Sequence, residues 1–187
     1  LFFREETMNI PEPVNPAEAV KAAMPGTVQD VVTFRDETTI VVAAKDVPAV
    51  LRVLRDTKGL IYNFLSDISA VDYYDPDAEH QRPARFGISY HVYSMLYNRR
   101  LRVKTYVEDG VIVPTATTIW PGANWLEREI FDLMGISFEG HPDMRRLMMP
   151  DDWSGHPHRK DYPLSVETVQ FSFNIEEILK HKPLAKK

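Results

Sequence analysis

The sequence contains no cysteine among its 187 residues. Disulfides, thiolate nucleophiles and the thiolate ligands that hold iron-sulfur clusters are therefore excluded for this chain. No apolar run approaches the ~18 to 20 residues that a bilayer-spanning helix needs. The first residues also lack the basic and apolar regions of a signal peptide. We therefore expect a soluble or peripheral protein with no membrane span of its own.

Positive charge is neither abundant nor concentrated in one part of the chain. The 22 lysine and arginine residues are scattered among 27 aspartate and glutamate residues, and the formal net charge is -5. Because a nucleic-acid backbone requires a broad basic face, we expect no nucleic-acid partner. A glycine-rich phosphate loop and a Gly-x-Ser-x-Gly elbow are also missing. Self-contained catalysis is therefore poorly supported.

The composition is that of a folded domain. Hydrophobic residues make up 44% and charged residues 26% of the chain, both near the averages for globular proteins. Prolines concentrate at the two ends of the sequence, where they interrupt helices and strands. We therefore predict an extended lead-in over residues 1–15, a domain over residues 16–140 and an extended tail over residues 141–187.

Two helices are predicted in the first third of the chain. Asn15 as N-cap, Pro16 at the first helical position and Glu18 three residues on resemble a capping box. Asp46 is predicted to cap a second helix that ends before Gly59. The apolar stripe of this second helix, which should cover one face of a sheet, consists of Val47, Val50, Leu51 and Leu54.

Period-two and β-branched segments predict strands between and after these helices. Residues 28–34 and 39–44 suggest a hairpin. From Phe86 apolar residues alternate with polar ones, and residues 101–107 continue the pattern after a turn. Residues 75–83 form a long loop. Because strands are grouped rather than alternating regularly with helices, we predict an α+β fold with a mainly antiparallel sheet covered by helices and followed by the extended C-terminal tail.

A third helix is predicted between Asn124 as N-cap and Gly135 as the C-terminal stop. Glu127 takes the third helical position of a capping box, and an ion pair is expected between Arg128 and Asp132, which are four residues apart. Glu127 and Glu129 point about 200° apart around a helix. They are therefore unsuited to act together as a catalytic carboxylate pair.

After Gly135 the helical and strand periodicities disappear. Charged and aromatic side chains alternate with prolines, so we expect an extended segment with anchor residues and no second core. Ordering such a backbone costs ~1 to 2 kcal/mol per residue. We therefore expect its anchors to bind a surface that belongs to another chain.

Many positions of this helix and tail fit one known register. The matching residues are Glu127-Arg128-Glu129, Asp132, His141, Arg145 and Leu147-Met148, followed by the run DDWSGHPHRKDYPL. This combination resembles the C-type subunit family of respiratory complex I, the proton-pumping NADH:quinone oxidoreductase. One departure is His158, where an apolar residue is expected before the Arg-Lys-Asp-Tyr run.

The resemblance implies a non-catalytic peripheral-arm subunit, which helps to assemble and hold the quinone-reducing module. That complex passes electrons from NADH through FMN and iron-sulfur clusters to quinone and couples the transfer to proton translocation. The resemblance implies no cofactor on this chain, since FMN, the Fe-S clusters and quinone are bound by partner subunits. The implied partners are the large D-type quinone-site subunit, the terminal-cluster B-type subunit and other peripheral-arm subunits, at the cytoplasmic face of the inner (cell) membrane.

With this resemblance, we interpret the charged and aromatic residues of the signature as docking residues and expect no catalytic residue on the chain. The predicted docking residues are Glu127, Arg128, Glu129, Asp132, His141, Asp143, Arg145, Arg146, Asp151, Asp152, Trp153, His156, Arg159, Lys160, Asp161 and Tyr162.

Two alternatives stay open from the sequence. The chain could serve as the equivalent subunit of a related hydrogenase, or of an F420- or ferredoxin-dependent complex, which only co-purifying subunits would decide. It could also be a metal-dependent hydrolase that uses His141, His156 and His158 with nearby aspartates, since imidazole and carboxylate are suitable ligand types. Their spacing matches no established ligand pattern, and bound metal would distinguish this hypothesis from the first.

Overall fold

A five-stranded sheet forms the centre of the protein, with the strand order β1-β2-β5-β4-β3. The computed structural model describes residues 10–75 and 83–163. The strands are β1 (Val28–Phe34), β2 (Glu37–Val42), β3 (Phe64–Asp72), β4 (Phe86–Ser94) and β5 (Arg99–Val107). The pairs β1–β2, β3–β4 and β4–β5 are antiparallel, and only β2–β5 is parallel among the pairs of this sheet. The predicted α+β fold with a mainly antiparallel sheet is confirmed.

Three helices accompany the sheet: α1 (Pro16–Ala23), α2 (Val47–Asp56) and α3 (Ala123–Met134). Asn15 caps α1 as predicted, because its side-chain oxygen accepts hydrogen bonds from the backbone amides of Ala17 and Glu18. Asp46 occupies the N-cap position of α2, but its side chain makes no capping hydrogen bond. A 3₁₀ turn over Ala44–Asp46 instead leads the chain into α2.

One face of the sheet and the apolar stripe of α2 form the core. All four predicted stripe residues of α2 are fully buried. Facing them are Ile40, Ile88, Tyr90 and Val103 from three strands, each also fully buried. Burying a large apolar side chain stabilises a fold by about 1.5 to 3 kcal/mol, so this layer supplies much of the stability of the domain.

The sequence missed β3 and misplaced the ends of two elements. β3 is an edge strand whose register shifts between Leu65 and Asp67, and this bulge breaks the period-two pattern that identifies strands. The prediction of 39–44 for β2 ended two residues too late, because Ala44 begins the 3₁₀ turn. The predicted strands 28–34 and 101–107 are confirmed, although β5 begins at Arg99.

The predicted N-cap of α3 is wrong. The helix begins at Ala123, so Asn124 lies inside it, and Gly122 at the N-cap position provides no side chain for capping. The predicted C-terminal stop is confirmed, because Gly135 adopts a left-handed conformation with φ of 74°. Two short strands, β6 (Val113–Pro114) and β7 (Phe138–Glu139), pair in parallel on either side of α3 in the sequence.

Residues 141–163, named the strap here, contain no helix or strand. The strap runs back along α3 to the end of the sheet, where the amide of His158 donates to the carbonyl of Leu133 at 2.9 Å and the amide of Lys160 donates to Asp72 at 3.0 Å. The surface that holds this segment is therefore the chain's own domain, whereas the sequence suggested another chain. Docking of the tail on a partner stays a prediction, and its residues 164–187 lie outside the described residues.

Candidate functional site

Asp132 projects from α3 into the strap and is fully buried. One carboxylate oxygen accepts a hydrogen bond from Arg146 at 2.6 Å, and the other accepts from the backbone amides of Leu147, Met148 and Met149 at 2.7 to 3.0 Å. Burial alone would raise the pKa of Asp132, but the three amides and the Arg146 guanidinium outweigh that effect and lower the pKa. The ionised carboxylate therefore fastens the strap to α3.

Arg128 also binds the strap, and the ion pair predicted between Arg128 and Asp132 is wrong. The guanidinium of Arg128 lies 5.1 Å from the centre of the Trp125 ring and donates to the carbonyls of Arg145 at 3.1 Å and Arg146 at 3.0 Å. Helical spacing places Arg128 and Asp132 on one side of α3. Both side chains nevertheless turn to the strap, because it offers unpaired carbonyls to one and amides to the other.

Arg146 links three parts of the site through its guanidinium. One nitrogen binds the Asp132 carboxylate, and the other donates to the carbonyls of Trp153 at 2.8 Å and Gly155 at 3.1 Å. The Arg146 side chain is 17% exposed and that of Asp132 is fully buried, so this pair is largely shielded from solvent. Removing one partner of a buried pair of this kind strongly destabilises the folded protein.

Glu127 is fully buried on the side of α3 that faces residues 115–116. Its oxygens accept hydrogen bonds from the hydroxyl of Thr115 and from the backbone amide of Ala116 at 2.6 Å. Burial raises the pKa of Glu127 to about 7, and the two hydrogen bonds offset part of that rise. The predicted capping-box role is wrong, because the helix begins at Ala123 and Glu127 lies beyond its first turn.

A second charged group holds the far end of the strap. Arg85, just before β4, binds the carboxylates of Asp72 at 3.1 Å, Asp161 at 2.7 Å and Asp109 at 3.3 Å. Burial would raise the pKa of Asp72, but Arg85 and the backbone amides of two residues, including Lys160, lower it. The same carboxylates outweigh the effect of burial on Arg85 and raise its pKa. Lys160 thus contributes its amide here, and Asp161 its carboxylate.

Arg159 joins this second group to the end of α3. It donates to the carbonyl of Met134 at 2.7 Å and to the carboxylate of Asp109 at 2.7 and 3.0 Å. Tyr162 packs against Gly155, where an added Cβ would lie 2.7 Å from the tyrosine ring, and its hydroxyl donates to the carbonyl of Ser154 at 3.2 Å. The predicted docking residues from 159 to 162 therefore lie in a turn that is hydrogen-bonded to the domain.

The three histidines of the strap have no common ligand geometry. His141 accepts a hydrogen bond from the amide of Asp143 at Nδ1, which leaves Nε2 to donate to the carbonyl of Asn124 at 3.2 Å. His156 lies with Nδ1 2.9 Å from the carbonyl of Asp132, and His158 is exposed. Within residues 10–75 and 83–163, no group of three histidine, aspartate or glutamate residues could hold a metal ion.

The other predicted docking residues lie on the outside of α3 and the strap. Glu129, Asp151 and Asp152 are exposed. Asp143 and Arg145 form an ion pair at 2.7 Å, in which the Arg145 side chain is 73% exposed. Trp153 is the exception, since it is partly buried and its indole nitrogen has no hydrogen-bond partner among the described residues. The structure thus separates the signature into an inner set that fastens the strap and an outer set that faces solvent.

Several partners of the inner set, which lie outside the signature, were not predicted from the sequence. Arg85 binds Asp161, which is 76 positions away, and Arg159 binds Asp109, which is 50 positions away. Thr115 holds Glu127 from a loop with no recognisable motif. No local pattern signals pairs at such separations, so only the folded chain identifies them.

A groove among the described residues lies elsewhere, on the sheet face opposite the core. It has a volume of about 490 Å³ and none of the predicted docking residues lines it. Its polar lining includes His91 and Arg102, where burial and the charge of Arg102 lower the pKa of His91. The inner residues of the signature meet instead where the strap is fastened to α3 and to the end of the sheet.

Known proteins similar to this chain share one description. The family model described as respiratory-chain NADH dehydrogenase, 30 Kd subunit, matches residues 40–168. The C subunit of the NADH-quinone oxidoreductase of Roseiflexus sp. (strain RS-1) is 42% identical over 170 residues, which cover 90% of this chain and 94% of the relative. The same subunit of Geotalea uraniireducens (strain Rf4) is 47% identical over 136 residues, which cover 72% and 78% respectively.

One solved structure is also similar to this chain. The structure of a trypsin-resistant fragment (1-134) of Nqo5 matches with a TM-score of 0.51 and 30% identity, over 61% of this chain and 88% of that chain. Among the described residues, no helix has the length and apolar character that crossing a membrane requires. The chain therefore belongs to the family of the 30 Kd subunit of respiratory-chain NADH dehydrogenase, as the resemblance in its signature implied.

Proposed function

We propose that this chain is a non-catalytic subunit of the peripheral arm of NADH:quinone oxidoreductase, where it assembles and holds the quinone-reducing module. That complex would pass electrons from NADH through FMN and iron-sulfur clusters in other subunits to quinone, coupled to proton translocation. The large D-type subunit and the terminal-cluster B-type subunit are the proposed partners. The chain would lie peripherally at the cytoplasmic face of the cell membrane.

One observation carries the non-catalytic part of this proposal. Asp132 and Arg146 neutralise each other as an ion pair at 2.6 Å, and Arg128 binds two backbone carbonyls of the strap. A catalytic acid or base must instead reach a proton of a bound substrate. These side chains thus stabilise one conformation of the strap. Such a fixed surface is what a subunit that binds other subunits requires.

Deleting the chain from cells tests the assembly role. Without it, we expect the subunits that oxidise NADH to separate from the D-type subunit, with loss of NADH-driven quinone reduction in membranes. Restoring the full chain should restore both. Complexes that still assemble and reduce quinone without the chain would contradict the proposal, and co-purification with hydrogenase, F420- or ferredoxin-dependent subunits would assign it to a different complex.

A pair of truncations would then locate the binding segment. Ending the chain after Gly140 removes the strap and all that follows, whereas ending it after Pro163 removes only residues 164–187. Native mass spectrometry of complexes captured through a tagged D-type subunit would measure incorporation, and circular dichroism of the purified chains would monitor folding. A folded chain ending at Gly140 that is incorporated as well as the full chain would contradict a docking role for the tail.

A further inference from the structure

We infer that the outer side of α3 and the strap forms a docking surface for a basic region of a neighbouring subunit that contains an apolar recess. The surface consists of Trp125, Glu129, Met148, Asp151 and Asp152, and is named the Trp125–Met148 surface here. This inference rests on the proposed function, since it specifies where the chain binds and the chemistry of the partner that it binds.

Two large apolar side chains point outward from this surface. Trp125 is 59% exposed and Met148 is 64% exposed. The Trp125 ring is held by the Arg128 guanidinium, and the backbone that carries Met148 is held by its amide, which donates to Asp132 at 2.7 Å. Pre-ordered aromatic and apolar anchors lower the entropic cost of binding and commonly form the centre of an interface.

Arg128 connects the part of α3 that carries Trp125 to the part of the strap that carries Met148. Trp125 and Glu129 are four residues apart on α3 and share one of its sides. Arg128, which stacks on Trp125, also donates to the strap carbonyl of Arg146, two residues before Met148. The strap therefore runs beside this side of α3, with the backbone of Met148 bound to Asp132 of the same helix.

Carboxylates outnumber cations around the anchors. Glu129, Asp151 and Asp152 are exposed, and of the three only Asp151 acts on a described cation, since Asp143 and, more weakly, Asp151 raise the pKa of Arg145. The nearby arginines already have partners, since Arg128 binds carbonyls, Arg146 binds Asp132 and Arg145 pairs with Asp143 at 2.7 Å. An apolar centre with an acidic rim complements a partner surface that carries lysine or arginine around an apolar recess.

Oxidative footprinting of Met148 tests whether the surface is covered in the assembled complex. Met95 is the matched reference, because it is 60% exposed and lies at the turn between β4 and β5. In the isolated chain both should be oxidised by hydroxyl radicals at comparable rates. Since oxidation follows exposure, Met148 should react about tenfold more slowly in the complex. Undiminished reactivity of Met148 in a complex that contains the chain would overturn the inference but leave the proposed function intact.

Zero-length carbodiimide cross-linking of the complex tests the chemistry of the partner. We expect Asp151 or Asp152 to form an amide with a lysine of another subunit, identified by mass spectrometry, and the Asp151→Asn/Asp152→Asn variant to lose that product. Asp151→Lys/Asp152→Lys should lower incorporation about tenfold, whereas Glu12→Lys, at an exposed acid outside this surface, should not. Cross-links only to a lysine of the same chain or of a second copy would overturn the inference. A chain absent from the complex would instead contradict the proposed function.

Discussion

Single residues of the signature act differently from what their spacing suggests, and Glu127 is the clearest case. A glutamate in the first turn of a helix normally caps it in contact with solvent. Here the helix begins at Ala123, and the side chain of Glu127 is fully buried against Thr115 and Ala116. Its identity as an acid therefore affects the stability of the core.

The pKa of Glu127 predicts a specific pH dependence. Burial raises this pKa from 4.5 to about 7, so the folded chain binds a proton that the unfolded chain has lost between these values. Glu127 therefore contributes to the stability of the folded chain below the unfolded pKa, and this contribution is lost as pH rises through the folded pKa. The loss amounts to roughly 3 kcal/mol of unfolding free energy. Urea unfolding from pH 4 to 8 should show this fall in the wild-type chain, and Glu127→Gln should lack it.

Glu129→Gln is the matched control, because Glu129 is an exposed glutamate two residues away on the same helix. Its unfolding free energy should follow the wild-type pH profile. If the difference between wild type and Glu127→Gln is independent of pH, the buried carboxyl does not titrate as described.

At the scale of elements, the junction of α3 with the strap depends on Gly135. Its φ of +74° is unfavourable for other residues, and an added Cβ would lie 2.5 Å from His156 and 3.0 Å from Arg159. Gly135→Ala should therefore push the strap away and lower the unfolding free energy by at least ~2 kcal/mol, more than the backbone conformation alone costs. Hydrogen exchange should also become faster in residues 156–159.

Gly110→Ala separates the two effects of this substitution. Gly110 has a comparable φ of +79°, but an added Cβ would meet nothing within 4 Å. It should lose only the ~1 to 2 kcal/mol of the backbone effect and leave the exchange of the strap unchanged. Equal losses in the two variants would mean that close packing of the strap on Gly135 does not matter.

The elements themselves were predictable where a single local rule governs them. Asn15 marks the start of α1 because its side chain caps the helix, and Gly135 marks the end of α3 because a residue without a side chain adopts the left-handed conformation. The buried stripe of α2 follows from the spacing of its apolar residues. β3 was missed because its bulge after Leu65 disrupts alternation. The start of α3 was misplaced because asparagine is a favoured N-cap residue, whereas the helix begins two residues earlier than predicted and has no side-chain cap.

At the scale of the whole molecule, the course of the strap could not be predicted from the sequence. The aperiodic composition of residues 141–163 correctly indicated a segment without helix or strand. Arg146 and Arg159, which the sequence assigned to a partner, bind the domain itself. These contacts depend on residues brought together by the sheet, such as Arg85 and Asp161. Family membership was predictable, because it depends on residue types in a fixed register and not on their contacts.

Arg85 connects the sheet to the strap, and its removal should destabilise the molecule as a unit. Its side chain is 15% exposed and its partner Asp72 is 1% exposed, so Arg85→Leu would leave a buried carboxylate without its cation. We expect a loss of about 3 kcal/mol of unfolding free energy.

Arg145→Leu is the control, because Arg145 pairs with Asp143 on the surface of the same strap with 73% exposure. Its loss should stay below ~1 kcal/mol. Equal losses of unfolding free energy in the two variants, measured by urea unfolding, would show that the ion pairs at the sheet end do not bind the strap to the domain. A large loss in Arg85→Leu, together with faster hydrogen exchange in residues 158–162, would confirm that the strap and the sheet unfold as one cooperative structure.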